Sequence, residues 1–119
     1  MMNEFKITRI YADENGDTHF EDRSVALNDA GPIGYLSENL PVKEIIFRKV
    51  IPTYDYAFHT APQRQFIILL DVGIEVETSL GDKRQLQAGE VLQVDDITGK
   101  GHRSRNLQEK ERSSIFITY

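Results

Sequence analysis

The chain has no cysteine. Disulfides, thiolate metal ligands and cysteine nucleophiles are therefore excluded, and the composition suits a reducing compartment. It also lacks any long apolar run, the longest being the five residues Phe66 to Leu70, far short of a membrane span. Met1-Met2-Asn3-Glu4-Phe5-Lys6 carries no apolar signal core. Together these absences set the expectation of a soluble, cytoplasmic protein with no membrane partner. Positive charge is in deficit, with 14 Lys and Arg against 19 Asp and Glu and a net charge of −5. Such a chain repels phosphate backbones, which argues against nucleic acid as a partner. Lys100, Arg103, Arg105, Lys110 and Arg112 do cluster. Asp95, Asp96, Glu109 and Glu111 interleave with them, giving a mixed, solvated face.

Helical periodicity is missing as well, since no window of ten or more residues repeats its apolar positions every three to four places. Short β-branched and aromatic runs bounded by turn residues stand in its place. Strands are expected at Lys6–Tyr11, Thr18–Asp22, Val25–Leu27 and Lys43–Ile51, then at Tyr54–His59 and Gln65–Leu70. Residues 74–78 alternate apolar and polar, which marks a strand with one wet face. Leu80-Gly81-Asp82 turns it into a strand at Lys83–Leu86. Val91–Val94, Gly101–Asn106 and Ser113–Thr118 complete the set. Asn28–Pro41, with Gly31-Pro32, Gly34 and Pro41, reads as a loop with one short extended piece near Ile33–Leu36. A length of 119 residues with 39% hydrophobic and 28% charged content makes one globular domain with a real core. Roughly ten short, regularly spaced strands favour a β-sandwich or barrel.

Chemistry concentrates around two of the three histidines. His59 lies in Tyr54-Asp55-Tyr56-Ala57-Phe58-His59-Thr60-Ala61-Pro62-Gln63-Arg64-Gln65, and His102 in Gly99-Lys100-Gly101-His102-Arg103-Ser104-Arg105-Asn106. Strand alternation would put His102, Ser104 and Asn106 on one face, while the Ala61-Pro62 corner breaks any parity argument from His59 to Gln65. These frames resemble the two motifs of the cupin superfamily. The first motif is His-x-His, three or four residues, Glu, then six residues and Gly. His59 matches its first histidine, Ala61 stands at the second, Gln65 at the glutamate and Val72 at the glycine, with Gly73 one place late. The second motif ends Gly-x-x-His-x-x-x-Asn, which Gly99, His102 and Asn106 match, and Gln87-Ala88-Gly89-Glu90-Val91-Leu92 resembles the turn that opens it. The resemblance covers about Arg48 to Asn106.

The resemblance implies an all-β, single-domain, cupin-like double-stranded β-helix, a jelly-roll barrel over residues 1–119. Its N-terminal strands and loop would occupy residues 1–42 and its barrel residues 43–119. It implies a ligand pocket lined by His59, Gln65 and His102, with Tyr56, Arg64 and Asn106 beside them. His59, His102 and Gln65 would be the metal ligands where Zn²⁺, Ni²⁺, Fe²⁺ or Cu²⁺ is held; with no carboxylate in the set, Mg²⁺ and Ca²⁺ are disfavoured. A pocket holding no metal is the other outcome. Three functions follow: a small-molecule-binding protein with a partial two-histidine pocket, a metal-dependent oxygenase, isomerase or lyase acting on a small polar substrate, or a non-catalytic structural or regulatory dimer. The sequence leaves open whether the chain is an enzyme, since this fold hosts unrelated chemistries. A homodimer through edge strands is also implied.

Other residues admit a functional and a plain reading. Arg48 and Arg64 have the chemistry to hold an anionic substrate, or are surface arginines. Tyr54, Tyr56 and Phe58 line a pocket or fill a core or interface. Asp95-Asp96 is a carboxylate pair for acid–base work, or more often an exposed turn. His19 suits a surface or edge position. Thr98-Gly99-Lys100-Gly101 lacks the spacing and following helix of a phosphate loop, so its glycines are read as forming the tight approach to the His102 strand.

Overall fold

A computed structural model describes residues 2–119 of the chain; Met1 lies outside the described residues. Strands β1 (Glu4–Ala12), β2 (Thr18–Ala26), β3 (Asn28–Asp29), β4 (Tyr35–Leu36), β5 (Ile45–Val50) and β6 (Asp55–His59) come first. They are followed by β7 (Gln65–Leu69), β8 (Ile74–Glu77), β9 (Lys83–Leu86), β10 (Val91–Val94), β11 (His102–Asn106) and β12 (Arg112–Thr118). The helical content of the described residues is one 3-10 turn at Gly31–Ile33, with Pro32 near its start. No helix among them is long and apolar enough to cross a membrane.

The strand order defines a jelly roll. One sheet runs β2-β1-β10-β7-β12-β5 and the other β6-β11-β8-β9. From β5 onward the chain changes sheet at every connection except the β8–β9 hairpin and the sheet is antiparallel throughout. Two interlocked four-strand layers wound this way are the double-stranded β-helix of cupin-like folds. The β1–β2 hairpin widens one layer by pairing β1 parallel to β10, with Thr8 opposite Leu92 and Ile10 opposite Val94.

Alternation explains which residues meet between the sheets. On β7 the pattern is buried at Gln65, Ile67 and Leu69 and only half-buried between them. Register places Gln65, Ile67 and Leu69 opposite Thr118, Phe116 and Ser114 of β12. In the other sheet Ile74 and Val76 are buried, and Ile74 pairs with Leu86. Ile10, Ile67, Leu69, Leu92 and Val94 from one layer pack on Ile74, Val76 and Leu86 from the other, with Phe20 and Phe116 at the margin. The outer face of the larger sheet is apolar too. Ile7, which points away from the sandwich, is covered in a groove shared with Leu36 of β4 and with Leu40 and Val42 of the segment that follows it.

Several strand ends shift by a residue or two from the sequence expectation, and two regions differ in organisation. Thr18–Asp22 and Val25–Leu27 form one strand, because β2 pairs residue for residue with β1 along its whole length, from Thr18 opposite Ala12 to Ala26 opposite Glu4. The polar Arg23-Ser24 step is tolerated because β2 is the sheet edge. The Asn28–Pro41 loop contains two short paired pieces, β3 and β4, around the 3-10 turn.

Candidate functional site

The two framed histidines meet. His102 on β11 lies directly opposite His59 on β6, and their ring centres are 4.7 Å apart with planes inclined at 54°. Gly101 makes this approach possible. It adopts φ +76°, and a Cβ there would lie 2.1 Å from the His59 carbonyl oxygen. The glycines before His102 thus serve a tight strand approach, as the sequence suggested.

A β-bulge supplies the third ring. His102 pairs with His59 but Ser104 pairs with Tyr56, so the register shifts between them and the extra residue falls on β6. Bulges re-aim side chains. Tyr56 and His59, an odd number of places apart, consequently face the same way and stack with ring centres 3.8 Å apart. All three rings line a cavity of about 430 Å³. Gln65 and His102, each 5% exposed, lie deep in its wall, while Tyr56, 51% exposed, lies at its mouth. Tyr54 and Phe116 also line it, and the Tyr54 hydroxyl is 3.2 Å from Ser104 Oγ.

Each histidine is fixed through the same ring nitrogen. His59 Nδ1–H donates to the Ala57 carbonyl at 2.8 Å. His102 Nδ1–H donates to Asp96 Oδ2 at 2.5 Å, a short charge-assisted contact between two buried side chains. Among the described residues, Nε2 of neither ring has a hydrogen-bond partner. The His59 imidazole is held below its usual value, first by burial and then by the neighbouring His102 and Arg48, against the opposing pull of the Ala57 carbonyl and Asp96. It is neutral at pH 7. Asp96 is fully buried, and its Oδ1 has no hydrogen-bond partner among the described residues.

The six expected pocket residues separate into two groups. His59, Gln65, His102 and Tyr56 line the cavity. Arg64 and Asn106 do not. Arg64 is exposed beyond the Ala61-Pro62 corner, and its carbonyl accepts from the Tyr119 amide. Asn106 keeps the alternation with His102 and Ser104, but its amide is used up beyond the cavity. Nδ2 donates to the carbonyls of Ile51, Pro52 and Lys110, and Oδ1 accepts from Arg112 Nε at 2.7 Å. Asn106 therefore clasps the loops around a buried arginine, a structural task.

Asp96 fits neither reading that the sequence offers for Asp95-Asp96, an acid–base pair or an exposed turn, since the two carboxylates are engaged separately and Asp96 is buried. Asp95 instead accepts from Arg9 Nε at 2.6 Å and from the Tyr119 hydroxyl, while Asp96 backs His102. The available signal was an acid six places before a histidine, with two glycines between them. Arg48 does line the cavity. His19, on the edge strand β2, pairs with Asp13 at 2.6 Å and lies away from the site.

Ring separation alone suits a shared ion. Imidazoles binding one ion at about 2.0–2.1 Å hold their ring centres roughly 4.5–5.3 Å apart. The donor set falls short, however. No group of three or more His, Cys, Asp or Glu side chains among the described residues is arranged to hold a metal. Two imidazoles and the neutral Gln65 amide give fewer strong ligands than the three protein ligands usual at catalytic zinc, and Ala61 occupies the place of another. The residues present thus fall short of the ligand set usual at a resident metal centre.

No family model matches the chain, and no curated protein matches it. Among solved structures it is similar to the Schizosaccharomyces pombe Cnp3 cupin domain, at 12% identity and a TM-score of 0.47, over 99% of this chain and 85% of that chain. At that distance the class of the protein rests on its own strand order, which makes it a cupin-like jelly roll.

Proposed function

We propose that the chain is a small-molecule-binding protein whose ligand occupies the cavity between the sheets. One observation carries this reading: two histidines with their Nδ1 atoms engaged converge, each with a free Nε2, on a cavity of about 430 Å³. That volume is within the range of small-ligand sites, and an apolar wall with a few fixed polar groups is their usual composition. Thermal-shift screening with sugars, amides and small acids, followed by NMR of the histidine ring protons, tests it. A binder should raise the unfolding temperature and move the His59 and His102 resonances. Stabilisation by no compound, with both resonances unmoved, would reject the proposal.

A metal-dependent enzyme is the second reading. It is favoured by the Asp96–His102 contact, since a carboxylate on Nδ1 is how metal-binding histidines are commonly oriented. Against it stands the incomplete donor set. Metal analysis of untagged protein decides: stoichiometric metal lost in both His59→Ala and His102→Ala would establish this reading.

We also propose that the chain pairs with a second copy through β5. This strand is one of the two edges of the larger sheet, the other being β2, and Ile45 and Phe47 on its outward side are 56% and 76% exposed. An apolar open edge is a template for strand pairing. Light scattering should give a dimer mass, and Phe47→Lys should give a monomer; a monomeric wild-type protein would rule the pairing out.

A further inference from the structure

The charge around the cavity is one-sided. No aspartate or glutamate lines it, while Arg48 does. Arg48 reaches it from β5, opposite Ser114, and its guanidinium lies over the rings of Tyr54 and Phe116 at 4.9 and 5.1 Å. Arg112, 2% exposed, lies over the same Tyr54 ring at 5.1 Å. Arg9, Arg84, Arg103 and Arg105 each pair with a carboxylate. Among the described residues, none of the ion pairs includes Arg48 or Arg112. Arg112 has the Asn106 oxygen in compensation, whereas the Arg48 fork has aromatic faces alone. A guanidinium presents several donors in a plane matched to a carboxylate, so the cavity carries a cation without its anion.

The opposite chemistry is found at the histidines. With Nδ1–H donating to the Ala57 carbonyl, the neutral His59 ring presents a lone pair at Nε2. Asp96, the nearest carboxylate, backs His102 and is not part of the lining. The ligand should therefore bring negative charge to one place and a hydrogen-bond donor to another, with an apolar body between them. We propose that the cavity binds a small hydroxylated organic acid: its carboxylate pairs with Arg48, its hydroxyl donates to the Nε2 lone pair of His59, and its body lies against Tyr54, Tyr56 and Phe116. This rests on the reading of the cavity as a small-molecule site and assigns the class of molecule.

The test is a calorimetric titration of the full chain at pH 7.5 with lactate, salicylate, 4-hydroxybenzoate and 4-hydroxyphenylacetate, each beside its amide. At least one acid should bind roughly ten- to a hundredfold more tightly than its amide, the worth of one charge-assisted contact. Arg48→Gln should remove that preference. Arg48→Lys should restore part of it, because charge returns without the planar fork. Thermal unfolding of both variants identifies any loss that comes from misfolding, and acid-dependent shifts of the His59 and His102 ring protons in wild-type protein give a readout free of substitution. Equal binding of acid and amide, insensitive to Arg48, would overturn the acid assignment while leaving a small-molecule site in place. Binding of no acid would overturn it too, and the sugars and amides of the broader screen then show separately whether the cavity takes any ligand.

Discussion

Gly101→Ala probes the joint on which the site depends. At φ +76° an alanine pays for a left-handed backbone, about 1–2 kcal/mol. Its Cβ would also lie 2.1 Å from the His59 oxygen, 2.3 Å from the His59 carbonyl carbon and 2.8 Å from the Thr60 nitrogen. Ordinary contacts lie nearer 3.5 Å, so β11 and β6 would have to part locally by roughly 1 Å. Neither atom set is a flexible side-chain tip; both are backbone held in the sheet. The two effects together should cost about 2–4 kcal/mol, a large fraction of the 5–15 kcal/mol typical of a domain. Urea unfolding followed by circular dichroism measures the loss. Gly89→Ala is the matched control: φ is +88°, but nothing lies within 4 Å of the added carbon. It should lose only the backbone part. In NMR spectra Gly101→Ala should also shift the His59 and His102 ring protons, and Gly89→Ala should not. Equal destabilisation of the two variants, with both histidine spectra unchanged, would refute the claim that Gly101 is required for the close approach of the strands.

Leu69 is fully buried between the sheets, so Leu69→Ala should lose about 2–5 kcal/mol in the same urea assay. Asn106→Ala removes the oxygen from Arg112 and the donor from three carbonyls; a loss of about 2–4 kcal/mol is expected, with the affinity of any cavity ligand changed little in calorimetry. Burial lowers the His59 imidazole, so the unfolded chain takes up that proton first as pH falls. The His59 contribution is therefore zero above the ordinary imidazole range and destabilising as pH falls through it toward the folded value. Urea midpoints between pH 7.5 and pH 5 should show this decline, and His59→Gln should flatten it. An unchanged slope in the variant would assign the effect to other groups.

Strand alternation made most of the architecture legible. Ile74 to Glu77 is buried on alternate positions as its apolar–polar pattern requires, and the turn at Leu80-Gly81-Asp82 joins β8 to β9 in register. The convergence of His59 and His102 was also legible, through the resemblance of their two frames to the cupin motifs. Three features were hidden for physical reasons. The shared facing of Tyr56 and His59 arises from a bulge, and an extra residue leaves no mark in composition. Asp96 is buried because β10 and β11 belong to different sheets, and the chain crossing between them passes beneath His102. Asn106 has the right spacing for the site, yet the loops at Ile51, Pro52 and Lys110 close over its amide. Spacing along one strand fixes a face and leaves the distance from the cavity undetermined.

The parallel pairing of β1 with β10 has a consequence for the order of events during synthesis. The β1–β2 hairpin leaves the ribosome early, but its partner strand follows about eighty residues later, a delay of roughly 4–16 s at ordinary translation rates. Through that interval Ile10 and Phe20 have no sandwich to enter. The hairpin therefore has to wait for its partner strand, and β10 is a bare edge until the hairpin docks. Conditions that slow this docking should expose two complementary surfaces at once, one on the waiting hairpin and one on the finished roll, and a hairpin from one molecule can then close the roll of another.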